Sequence, residues 1–215
     1  VIFCIPFLGV PSFNLSHDAV VPLLLVAVSQ GVGNVLYFIA IKDLTNGTAQ
    51  IAFSSILIFN TILSVLFLNL HLSPQNVGGL ILLSIAILSV VTGKIELHVK
   101  GILWMLLAAF TFSIFQLASG VASKQTGVTT YLLASYVGAA LVIYLIKWKQ
   151  VTAEIIHNKD LKSTLLIPFL TAIPSIGNFY FAYYAYRLSP EPARVAMLLT
   201  SQVVLTVLFS YVALN

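Results

Sequence analysis

The chain has 215 residues, of which 60% are hydrophobic and 7% charged, with a formal net charge of +4. Mean hydropathy is +1.05, whereas a soluble domain carries about 25% charged residues. The basic side chains are scattered singly and form no nucleic-acid patch, and the single cysteine, Cys4, excludes an intrachain disulfide framework or a multi-cysteine metal site.

In chain order, Val1–Val10 is apolar but too short to span a bilayer. It lacks the basic start and small-residue cleavage site of a signal peptide, and reads as the tail of a preceding span. Long apolar runs follow at Ala19–Ile41, Leu44–Leu70, Val77–Val91, Gly101–Ser123, Val128–Ile146, Thr164–Tyr186 and Val195–Leu214. A hydrocarbon layer of ~30 Å needs ~20 helical residues at ~1.5 Å each, which most of these runs supply. All sixteen charged residues and all four histidines lie between the runs. A charge at the bilayer centre costs about 2.5–3.5 kcal/mol, so this segregation is what insertion demands. The fold class is therefore all-α, a polytopic transmembrane helical bundle whose surroundings are the lipid bilayer.

Polar groups inside the runs are few. Gln30 and Asn34 are four apart and share a helical face with Tyr37, and Ser113, Gln116 and Gly120 line one face of the run that starts at Gly101. In the run Thr164–Tyr186, Pro168 and Pro174 are expected to interrupt the first half. Ser175, Asn178 and Ala182 then stack, with Tyr186 one turn further on. Among the aromatics there, Tyr184 and Tyr186 read as an interfacial belt. Phe179 and Tyr180 lie deeper and suit the wall of an apolar or aromatic pocket. Ser189–Pro192 reads as the start of a new helix, and Arg187 and Arg194 as headgroup anchors. An amide buried without partners costs several kcal/mol, so each must face another helix or a wet cavity. Interhelical bonding and substrate contact are both open for Asn34, Asn178, Gln116, Gln30, Ser175, Phe179 and Tyr180, the candidate substrate-binding residues. No ionisable side chain sits well inside a run, which disfavours a carboxylate proton relay. No catalytic residue, metal site or cofactor is expected.

The chain also repeats itself. A shift of 144 places Gly33-Asn34 on Gly177-Asn178, Leu44 on Leu188, Ala49 on Ala193 and Ala52 on Ala196. Only five of 35 positions from 33 to 67 are identical, but the layout recurs: a run carrying Gly-Asn, a short polar turn, then a small-residue-rich run. Equivalent runs are five crossings apart, so the copies face opposite ways across the membrane. Inverted internal repeats are a recurring construction of secondary transporters.

The stretches GNVLYFIAIKDLTNGTAQIAFSSILIFNTILSVLFLN and GNFYFAYYAYRLSPEPARVAMLLTSQVVLTVLFSYVALN, with SPQNVGGLILLSIAIL and KGILWMLLAAFTFSIFQLASGVASKQTG, resemble the drug/metabolite transporter superfamily with paired EamA-type domains. The resemblance implies ten helices in two inverted sets of five, of which this chain runs from the end of helix 2 through helix 9. It implies residues 1–93 as the C-terminal part of the first repeat and 94–215 as the second, short of its last helix. Family members often carry a proline midway along the fourth helix of a repeat, and here Ser54–Thr61 and Leu198–Leu205 have none. The implied function is a permease of the cell membrane that moves a small metabolite or drug-like solute by alternating access. Its partners are a small-molecule substrate and lipid, with no nucleic acid. The alternative is a non-transporting membrane scaffold or sensor. An intramembrane enzyme would need paired acids or a Ser/His dyad, and the histidines sit in separate gaps. Orientation criteria disagree: seven basic residues lie on one side and three (Lys124, Arg187 and Arg194) on the other. The positive-inside rule places the seven in the cytoplasm, and the family's usual topology places the three there.

Overall fold

The computed structural model describes residues 16–72, 74, 77–82, 84–85, 99–157, 161–191, 194–196 and 198–199. The expected tail Val1–Val10, much of the run Val77–Val91 and most of the run Val195–Leu214 lie outside them. Among the described residues every regular element is helical. They are α1 (His17–Ala40), α2 (Asn46–Phe53), α3 (Ile56–Leu68), α4 (Val99–Gln125), α5 (Val128–Leu133), a π turn (Ala134–Gly138), α6 (Ala139–His157) and α7 (Leu161–Leu188). Among the described residues four stretches are long and apolar enough to cross a membrane: His17–Ala40, Gly47–Leu68, Val99–Gln125 and Val128–Ala153.

The polarity is that of a membrane protein, apolar outside and small-polar inside. Phe67, Leu145 and Phe181 are 71%, 71% and 72% exposed, while Ser64, Ser113, Ser119, Ser123 and Ser135 are fully buried. Several buried hydroxyls turn back to the preceding helical turn, as Ser113 does to the Ala109 carbonyl at 2.9 Å and Thr126 to Ala122 at 2.8 Å. In a dry interior this is the nearest way to satisfy them.

α1 lies along α4 as the largest interface of the bundle. Small residues allow the approach. A methyl group at Gly33 would come within 3.0 Å of Thr111 Oγ1, and Gly101, at the other end of the contact, faces Asp43 and Leu44, so the two helices are antiparallel. On its other side α1 meets α6 and the π turn, with Gly31 against Val142 and Gly138 against Ala27. Leu23 and Val26 of α1, Phe115 and Ala118 of α4, Tyr131 of α5 and Tyr183 of α7 then close one core.

Two spans are irregular, and none of their irregularities comes from proline. The helix Gly47–Leu68 breaks at Ser54-Ser55, whose φ/ψ values of −60/−16° and −57/−16° are those of a 3₁₀ turn. Ser54 Oγ donates to the Gln50 carbonyl at 2.9 Å, and the Leu57 and Ile58 amides bond three residues back, to Ser54 and Ser55. The other irregular span, Val128–Ala153, carries the π turn and, further on, a kink at Lys147, whose φ/ψ of −116/22° is not helical. By contrast α7 runs unbroken from Leu161 to Leu188, so the interruption expected from Pro168 and Pro174 is absent. Each proline removes a single N–H, and the neighbouring i→i−4 bonds carry the helix past it. The chain turn Lys42–Gly47 is fixed by Thr45, whose hydroxyl caps α2 by accepting from the Thr48 amide at 3.4 Å. Asn69 ends α3 in the left-handed region (φ 52°), and the Leu70 amide reaches back to the Ser64 carbonyl at 3.2 Å.

Candidate functional site

A cavity of about 200 Å³ opens where the α2–α3 break, α4, α5 and α7 meet. Its walls are Phe53 and Ile56 from either side of the break, Phe112, Phe115 and Gln116 of α4, Tyr131 of α5, Asn178, Phe179, Ala182 and Tyr186 of α7, and Leu199. Phe112 is the middle residue of the 27-residue α4, so the cavity lies at mid-depth of the bundle. Helical spacing selects these side chains: Phe112, Phe115 and Gln116 are three and four apart, and Asn178, Ala182 and Tyr186 are four apart.

Aromatic rings make most of the wall and brace one another. Tyr37 packs edge-on to Phe53 at 5.5 Å between centroids, Phe53 to Phe112 at 5.5 Å and Phe112 to Phe115 at 6.4 Å. The chain continues from Phe115 to Phe179 at 5.7 Å and from Phe179 to Tyr136 of the π turn at 5.1 Å. Edge-to-face pairs of this kind add about 0.5–1.5 kcal/mol each beyond area burial, so the wall is preformed.

The polar groups at the wall are uncharged. Asn60, fully buried on α3, donates from Nδ2 to Gln116 Oε1, which ties α3 to α4 and holds the Gln116 amide in place. Ser113, one turn below, shares its hydroxyl proton between the Ala109 carbonyl and the Ile56 carbonyl, the latter at 3.2 Å beside the helix break. Asn178 borders the cavity with an exposed side chain. Tyr186 is 1% exposed, and its hydroxyl has no hydrogen-bond partner among the described residues. Among the described residues, no Asp, Glu, Lys, Arg or His lines the cavity. Among the described residues no three His, Cys, Asp or Glu side chains gather as a metal site would require.

Three of the seven sequence candidates, Gln116, Asn178 and Phe179, therefore meet at one cavity. Ser175 stands behind it, its hydroxyl 2.8 Å from the Tyr136 hydroxyl, where it steadies the ring that packs on Phe179. Tyr180 does not line the cavity and packs edge-on to Tyr184 at 4.9 Å between centroids. Gln30 and Asn34 belong to α1 and do not line the cavity. Asn34 Nδ2 donates to the Gln30 carbonyl at 2.9 Å, and Gln30 Oε1 is buried without a partner among the described residues. The belt reading fails for Tyr186, which packs inside against Ala182, Val195 and Ala196. Position near a helix end misled there, and the shared face with Asn178 and Ala182 was the better signal. Phe53 and Ile56 carried no signal, because a serine-built break leaves no proline to read.

A hydrogen-bonded cluster adjoins the cavity at Tyr131. Tyr183, fully buried with its ring tilted against Tyr131 at 5.5 Å between centroids, donates from its hydroxyl to the Thr126 carbonyl at 2.6 Å. Arg187 donates to the same Tyr183 oxygen and lies over its ring. Tyr131 donates to Ser119 Oγ at 3.1 Å. On this face a second cavity of about 590 Å³ is bordered by His71, Lys124, Glu191 and Arg194, the last two ion-paired. Arg187 and Arg194, expected as headgroup anchors, thus both make contacts within the protein.

No curated protein and no solved structure matches the chain. Residues 1–92 match the model of the EamA-like transporter family, so that part of the chain carries the pattern of a family of membrane transporters, in line with the resemblance read from the sequence.

Proposed function

We propose that the protein is a secondary transporter of the cell membrane, a permease that moves a small metabolite or drug-like solute by alternating access. The observation that carries this reading is the mid-depth cavity, whose wall combines Phe53 and Ile56 with Gln116, Asn178 and Phe179. The first two belong to the segment 1–93 and the other three to 94–215, the two proposed repeats. Transporters built from inverted repeats hold their substrate at the midplane between the copies, beside discontinuous helices. The Ser54-Ser55 break supplies such a discontinuity at the cavity wall. The family match, which covers residues 1–92 and so ends at the proposed boundary between the repeats, supports this division. Gln116, Asn178 and Phe179 are proposed as direct contacts, and Ser175, Asn34, Gln30 and Tyr180 as residues that shape the surrounding helices. Full-length protein in liposomes, assayed for counterflow of amino acids, nucleosides, sugars and amphipathic amines, tests this reading. Saturable flux of one class is the expected result, and none from folded protein would count against it.

A further inference from the structure

We propose that the mid-depth cavity selects a small, flat, uncharged solute: a single aromatic or heteroaromatic ring with at least one hydrogen-bonding edge. This rests on the reading of that cavity as the transport site. Three observations point to it. First, size: a dry cavity of about 150 Å³ accepts benzene, so the 200 Å³ here suits one ring with a few substituent atoms. Second, shape and surface: Phe53, Phe112, Phe115 and Phe179 are locked by mutual edge contacts and present ring faces and edges to the space between them. A flat ring is the solute that meets such walls on both faces. Third, charge and polarity: among the described residues of this wall a permanently charged solute would find no counter-charge and would be desolvated without compensation. The Tyr186 hydroxyl, buried and lacking a partner among the described residues, instead waits for a neutral donor or acceptor. The amides of Gln116 and Asn178 border the same space and can read the polar edge of a ring.

The test is equilibrium binding to the full-length protein in lipid nanodiscs, with uracil, nicotinamide and indole as uncharged planar probes. Benzoate and phenethylammonium serve as charged probes, and cyclohexanol and glucose as non-planar ones. Saturable binding confined to the uncharged planar set is expected. Tyr186→Phe, which keeps the ring, should weaken the binding of at least one such probe about tenfold, the scale of one lost hydrogen bond. Gln116→Leu, similar in volume, is the second variant, and thermal melting verifies that both are folded. Equal or tighter binding of the charged or non-planar probes would overturn the proposal. So would unchanged affinity in both variants, or no binding of any planar probe. Flux of a sugar or amino acid without planar binding would leave the carrier reading standing and remove this substrate class. Planar binding without flux would keep the class and remove the carrier reading.

Discussion

The bond from Asn60 to Gln116 separates two roles that an intramembrane amide can play. Asn60 is fully buried on α3 and donates to Gln116 across the α3–α4 interface, while only Gln116 borders the cavity. A double-mutant cycle with Asn60→Leu, Gln116→Leu and the pair isolates that bond, because leucine nearly conserves volume and removes the amide. Interhelical hydrogen bonds in membranes average about 0.6 kcal/mol and reach about 1.7 kcal/mol, and the full burial of Asn60 argues for the upper part of that range. Both amides make further interactions, so each single variant should cost more than the coupling itself. The assay is reversible denaturation in mixed micelles, with saturable flux measured on the same four proteins. Flux should fall more in Gln116→Leu than in Asn60→Leu, once matched for folded protein. A coupling within about 0.3 kcal/mol of zero would refute the packing assigned to this pair, since distant independent sites add to about that accuracy. Equal flux losses in the two single variants would refute the special position of Gln116.

Other expectations follow from particular contacts. Gly31→Ala would place a methyl 2.7 Å from Val142 Cβ and 2.9 Å from the Ala139 carbonyl, so it should cost about 1–3 kcal/mol in thermal or denaturant unfolding. Gly177→Ala meets nothing within 4 Å among the described residues and should be neutral or stabilising by about 0.5–1 kcal/mol in the same assay. Tyr183→Phe removes the hydroxyl that bonds the Thr126 carbonyl and receives Arg187, and should cost about 1 kcal/mol, read as a lowered melting temperature. Arg187→Ala, at an exposed side chain, should cost less than Tyr183→Phe when the two are melted side by side.

The segregation of charge into gaps made the membrane spans and the all-helical class readable from composition and run length alone. Helical spacing also grouped Asn178, Ala182 and Tyr186 before any coordinates, because four-residue steps stack on one face. Breaks in helices were harder. Proline has a visible signature, yet α7 passes through Pro168 and Pro174, whereas the break at Ser54-Ser55 arises from hydroxyl and i→i−3 bonding that many serine pairs never form. Which face of a span is internal was equally hidden. Gln30, Asn34 and Gln116 look alike in an apolar run, and only the packing of α4 between α1 and α3 sends Gln116 to the cavity and leaves the other two on α1. Tyr186 shows the same limit from the other side: an aromatic near a helix end is often interfacial, but the neighbouring segment at Val195 and Ala196 covers this one.

The most direct test of transport through this cavity is solute counterflow in liposomes bearing full-length wild-type protein or Asn178→Ala, at equal amounts of inserted, folded protein. The account predicts saturable flux in the wild type and a clear loss in Asn178→Ala, whose side chain borders the cavity. Undiminished flux in the variant would contradict the site, and no saturable flux from the wild type across the solute panel would favour a membrane scaffold or sensor.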